Sequence, residues 1–194
     1  MYGQFMASIL QVVLGTQLVA FFVLRLANEP TRSKKVELHE GGWFRLIMSV
    51  VAVAQVGVLV GVVVSPSSLS FAELELPSTL RWFGAGLGIL ALGGLAWTYR
   101  VLGDSYHSIL HLQSNQRLIT NGPYRRVRHP LYTGLFLTFF AFFLQSANGL
   151  VFVFGIGGLA VLLLHRVPKE EALLVSHFGR KYKEYMGQTN RFLP

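Results

Sequence analysis

The chain has no cysteine, which excludes a disulfide framework, a thiolate nucleophile and any cysteine-ligated metal. It is also poor in charge. Only 13% of its 194 residues are Asp, Glu, Lys or Arg, against 52% hydrophobic, where a soluble domain carries about a quarter charged. A water-soluble fold would lack the polar residues to cover its surface. Acids are the scarcer sign, 9 against 17 Lys and Arg, for a formal charge of +8. In so apolar a chain that excess belongs to loops facing anionic lipid rather than to nucleic acid. No basic n-region or small-residue cleavage site marks the apolar start, which reads as a retained span and not a signal peptide.

A membrane-crossing helix needs about 20 apolar residues for a hydrocarbon core of about 30 Å. Residues 5–24, 44–64 and 80–99 meet that length. Two shorter runs, 131–145 and 150–164, are separated by Ser146-Ala147-Asn148-Gly149, whose residue types make turns, and they predict a tight helical hairpin. Arg25, Arg32, Lys34, Lys35 and Arg45 lie between the first two runs, while the next loop holds Glu73 and Glu75. Arg100, Arg117, Arg125, Arg126 and Arg128 follow the third run, and the hairpin turn has no base. By the positive-inside rule this alternation predicts five spans with a cytoplasmic C-terminus, in the cell membrane.

The expected fold is thus an all-α integral membrane protein, one integral unit. Three helices occupy 1–99, and a loop, the hairpin and a C-terminal interfacial helix occupy 100–194. Gly57 with Gly61 and Gly84 with Gly88 are G-x-x-x-G pairs suited to close helix approach. The letters Gly86-Leu87-Gly88-Ile89-Leu90-Ala91 match a dinucleotide fingerprint, but that motif requires a preceding strand.

Chemistry concentrates after Gly103. The loop to His129 is too long for a connector and carries apolar anchors, among them Leu118, Ile119, Tyr124 and Val127, with a turn at Asn121-Gly122-Pro123. In Arg128-His129-Pro130-Leu131-Tyr132-Thr133-Gly134, Pro130 suits the first position of a helix, so His129 stands at a helix entrance where backbone N–H groups favour an anion. Taken alone, Arg128, His129 and Tyr132 are equally explained as interface residues. Pro168 is expected to end the fifth span and open a new helix, on which Leu174, Phe178, Tyr182 and Tyr185 recur at helical spacing opposite Arg180, Lys181 and Lys183. Glu170 and Glu171 fall in that helix's first turn, where acids also serve the dipole. A short closed hairpin, however, must bring Arg128, His129 and Tyr132 beside Arg166, Glu170 and Glu171.

At these residues the sequence resembles the isoprenylcysteine carboxyl methyltransferase family, with a C-terminal pattern shared with phospholipid methyltransferases. Leu118-Ile119-Thr120-Asn121-Gly122-Pro123-Tyr124 is similar to L-V-T-x-G-x-Y, and Arg128-His129-Pro130-x-Tyr132-x-Gly134 to R-H-P-x-Y-x-G. Arg166, Glu170-Glu171 and Phe178-Gly179-x-x-Tyr182-x-x-Tyr185 continue the pattern in order. The resemblance implies a pocket for S-adenosyl-L-methionine lined by Leu118, Gly122, Tyr124, His129, Pro130, Tyr132, Glu170 and Glu171. It maps the catalytic arginine onto Arg166, with Arg128 as second candidate. The implied acceptor is a carboxylate on an isoprenoid-bearing or other lipophilic small molecule, which is ionised at pH 7 and needs no general base. An amine acceptor would need one, from a Glu or His107. Membrane lipids are the expected surroundings, and neither a metal nor nucleic acid is expected. The chain is shorter than members acting on prenylated proteins and is similar to compact microbial ones. NADPH-dependent steroid and sterol reductases share an R-H-P-x-Y hairpin in which an acid often follows the glycine. Here Leu135 follows Gly134. A transporter would place ionisable residues mid-span, where this chain has only Gln11, Gln17 and Gln55.

Overall fold

The computed structural model describes residues 2–28, 41–103 and 118–193. Arg32, Lys34, Lys35, His107 and Arg117, used above, lie outside these residues. Everything described is helix, turn or extended link; two isolated backbone bridges occur and no strand forms among the described residues. The dinucleotide reading of Gly86 to Ala91 therefore fails, because those residues lie inside a helix.

Helix α1 spans Tyr2–Ala27, α2 Gly42–Val64 and α3 Ser78–Leu102. Helix α4 spans Pro130–Ser146, α5 Gly149–Phe178 and α6 Arg180–Gln188. Of these α1, α2, α3 and α5 are long and apolar enough to cross a membrane, whereas α4 has 17 residues. The chain is a multi-pass membrane protein. Short 3₁₀ turns at Pro66–Ala72 and Gly122–Arg125 sit in the links.

Small residues set the packing. A Cβ on Gly84 would lie 2.7 Å from Leu144 Cβ, and one on Gly134 would lie 2.6 Å from Leu95 Cδ2, so α3 and α4 approach almost backbone to backbone. Gly88 likewise admits the Gln17 amide. Gly61 instead seats Leu69 of the 3₁₀ turn, and Gly57 faces open space among the described residues, so this pair joins no helices. Leu14, Leu18, Leu59, Val62, Phe142 and Val151 form the central core shared by α1, α2, α4 and α5. Within it the Gln17 amide donates to Ala85 O at 2.8 Å, and Gln145 Nε2 donates to Gln17 Oε1 at 2.8 Å. These bonds tie α1, α3 and α4, as polar groups do in a membrane interior.

The predicted turn between α4 and α5 is present. Ala147 takes a left-handed conformation (φ 50°), and Asn148 caps α5 by accepting from Leu150 N at 3.0 Å. The α2–α3 link meets it: Leu74 N donates to Ala147 O at 2.7 Å and Asn148 Nδ2 to Leu69 O at 3.0 Å. The site lies at the opposite ends of α4 and α5.

Two features of α5 depart from the sequence reading. Pro168 neither ends a span nor starts a helix; it lies inside an unbroken run that stops only at Gly179 (φ 54°). An interior proline costs about 3 kcal/mol, but in a membrane helix the freed carbonyl is re-satisfied locally. Here Val167, Glu170 and Glu171 are all buried, so tertiary contacts hold the turn helical. Phe152–Gly157 is wound as a π-helix, which no apolar periodicity reveals. The amphipathic C-terminal helix is thus the shorter α6, with Tyr182 and Tyr185 buried and Arg180, Lys181 and Lys183 exposed.

Candidate functional site

The convergence expected from the hairpin occurs. Glu170 Oε1 accepts from Tyr132 OH at 2.7 Å and from Arg166 Nε at 2.6 Å, the latter along one helical turn. Glu171 Oε1 accepts from Arg128 Nε at 3.0 Å and lies 3.3 Å from His129 Nε2. Both carboxylates are 5% exposed. Unpaired, such charges would not survive burial.

The two arginines differ. Arg128 is fastened throughout: besides Glu171 it donates to the carbonyls of Met186 and Thr189, and its side chain is 9% exposed. Arg166 is 25% exposed beside its carboxylate. His129 is buried, with Tyr132 and Phe192 against it at ring-centroid distances of 5.7 and 5.9 Å. Burial pulls its imidazole below the ordinary range, outweighing the opposing effect of Glu170 and Glu171. It is neutral at pH 7.

Pro130 occupies the first position of α4, as expected, and the two N–H groups just before it are taken by the C-terminal tail. Arg128 N donates to Asn190 O at 2.9 Å and His129 N to Arg191 O at 3.1 Å. Leu118, Gly122 and Tyr124 sit in the approach to α4. Gly122 has φ 58° and a Cβ there would lie 2.9 Å from Val101 Cγ2, so its turn is anchored on α3. Leu118 is half-buried; the carbonyl of buried Tyr124 accepts from Tyr185 OH at 2.6 Å. No hydrogen bond or ion pair joins these three to the carboxylates among the described residues.

Sequence reasoning missed Arg191, which belongs to none of the motifs above. Its guanidinium donates from Nε to Glu171 Oε1 at 3.3 Å and from Nη2 to Oε2. Arg191 lies 20 positions from Glu171, and no helical spacing relates the two, so no local signal could have found it.

The described site holds three guanidinium groups, two carboxylates and a neutral imidazole, a surplus of one positive charge (3 − 2). A helical membrane bundle with such a cluster at one end of its helices has the frame of an integral membrane enzyme. The model of the phospholipid methyltransferase family matches residues 79–181, which include all but the first residue of α3, all of α4 and α5, and every site residue predicted from sequence. A probable protein-S-isoprenylcysteine O-methyltransferase from Oryza sativa is 31% identical over 141 residues, 66% of this chain and 74% of that protein, in both the indica and japonica subspecies. The protein-S-isoprenylcysteine O-methyltransferase of Schizosaccharomyces pombe is 30% identical over 114 residues, 57% of this chain and 48% of that protein. The chain belongs to this family of membrane methyltransferases.

Proposed function

We propose that the protein transfers methyl from S-adenosyl-L-methionine to the carboxylate of an isoprenoid-bearing or other lipophilic small molecule, at the cytoplasmic ends of α4 and α5. The carrying observation is the buried Glu170–Glu171 pair under three arginines. Glu170 spends Oε1 on Tyr132 and Arg166, while Oε2 lies 3.9 Å from His129 Nδ1. A carboxylate has about four acceptor sites, more than these bonds use, and so suits the ammonium of an amino-acid-like cofactor as well. Glu170, Glu171, His129 and Tyr132 would hold that end, with Pro130, Leu118, Gly122 and Tyr124 shaping the approach. Bound there, the cofactor supplies an electrophilic methyl group.

The surplus positive charge favours an anionic acceptor. Arg166, more accessible than Arg128, suits it by the two parallel bonds a guanidinium offers a carboxylate; Arg128, fastened on several sides, is the second candidate. Orientation and exclusion of water then suffice, since a carboxylate at pH 7 needs no proton removed. An amine acceptor would need a base and, protonated, would meet the same surplus charge as repulsion. Five spans with the site cytoplasmic complete the reading, supported by the meeting of the acidic α2–α3 link with the base-free α4–α5 turn.

The test is calorimetric titration of purified protein with S-adenosylhomocysteine and, separately, NADPH. We expect binding of the first alone; binding of NADPH alone would replace this reading by a reductase. Glu170→Gln and Glu171→Gln should each weaken S-adenosylhomocysteine tenfold or more, as loss of a charged hydrogen bond of about 1.5–3 kcal/mol does.

A further inference from the structure

Residues 189–193 run as an extended strap along the entrance of α4. Val127 and Asn190 pair as a parallel bridge, the carbonyls of Asn190 and Arg191 take the N–H groups of Arg128 and His129, and Thr133 Oγ1 donates to Phe192 O at 2.7 Å. The carbonyl of Thr189 accepts from the Arg128 guanidinium. Arg191 reaches both oxygens of Glu171, and its own side chain is 47% exposed against 7% for Glu171. The strap therefore lies on the outer side of the carboxylate and fixes it from there.

We propose that Arg191 is a positioning residue of the cofactor site: it orients Glu171 for the cofactor without touching the cofactor itself. This rests on the cofactor reading above. Glu171 has three described partners, and two of them, Arg128 and His129, converge on Oε1. Only Arg191 engages Oε2 among the described residues, so it adds the second point that fixes the carboxylate's rotation. Its fork is bidentate, the geometry in which Arg and Lys are least interchangeable. Without Arg191 the buried Glu171 still keeps Arg128 as its counter-charge, so folding stability changes little, whereas a misaimed carboxylate loses its hold on a cation.

The experiment uses the full chain in detergent, with S-adenosylhomocysteine affinity by calorimetry and thermal melting measured on wild type, Arg191→Ala, Arg191→Lys, Glu171→Gln and the double variant Arg191→Ala/Glu171→Gln. We expect Arg191→Ala to bind about tenfold more weakly, Arg191→Lys to fall between, melting to stay near wild type, and the double variant to bind no more weakly than Glu171→Gln. Wild-type affinity in Arg191→Ala, or losses that multiply in the double variant, would overturn the proposal. If Arg191→Ala does not fold, Arg191→Lys decides: a threefold or greater loss supports the role and unchanged affinity overturns it. Absence of binding by wild type itself would instead remove the cofactor reading, and this proposal with it.

Discussion

Arg166 and His129 carry the sharpest single-residue consequences. Arg166→Lys keeps the charge beside Glu170 but loses the fork. Turnover should fall at least tenfold while S-adenosylhomocysteine affinity changes little; full turnover would reduce Arg166 to an interface residue with its stem in lipid. His129 has its folded pKa below the ordinary 6.5. The unfolded chain therefore takes up this proton first as pH drops. The stability held by neutral His129 is complete above about pH 6.5 and drains below it, by at most about 1.4 kcal/mol per pH unit for one proton. Denaturation followed from pH 7 to 5 should show that slope, and His129→Asn should flatten it. Tyr185, pushed up to about 12 chiefly by burial, remains a donor at any working pH, and Tyr185→Phe should cost about 1 kcal/mol through its bond to Tyr124 O. The identities of His129, Tyr132, Arg166 and the two Glu as neighbours were legible because a closed hairpin leaves their ends nowhere else to go. Arg191 was not, since its place depends on a tail folding back across the bundle.

Among the elements, the seam between α3 and α4 is fixed by absence of side chains. Gly134 of the R-H-P-x-Y-x-G run is expected to tolerate nothing larger: Gly134→Val would drive Leu95 aside, with a cost of about 1–3 kcal/mol typical of overpacking, visible as a lower melting temperature even in the presence of S-adenosylhomocysteine. Gly57→Ala, which meets open space, is the matched control and should be neutral or slightly stabilising. Helix existence was readable from apolar length alone, and the α4–α5 turn from its residue types. Helix α5 was misread at Pro168 because local backbone preference was given precedence over burial of Val167 and Glu171. Its π-helical stretch was invisible because a wide turn leaves an apolar run apolar. Winding by five instead of four changes which face follows: one residue removed from Phe152–Gly157 would turn everything beyond it by about 100° and carry Glu170 away from Tyr132, abolishing turnover.

For the whole molecule, the topology is testable because cysteine is absent. A single cysteine at Glu75, exposed in the link that meets the α4–α5 turn, should be labelled only from outside intact cells and one at Arg125 only from within; the reverse would invert the proposed orientation. The alternation of base-rich and base-free links is what predicts this arrangement; the way the helices lean on one another was not legible in the sequence. They lean unequally. In the apolar window of α3, 44% of residues are buried within the protein, but in that of α2 only 17%, with Val50, Val53 and Val64 facing outward. For α2 the acyl chains are the packing partner that α4 is for α3. Exchange of lipid for a short detergent is then equivalent to substituting most of one helix's neighbours at once, and α2 should be the first helix to gain hydrogen exchange, before the charged site at the ends of α4 and α5 loosens.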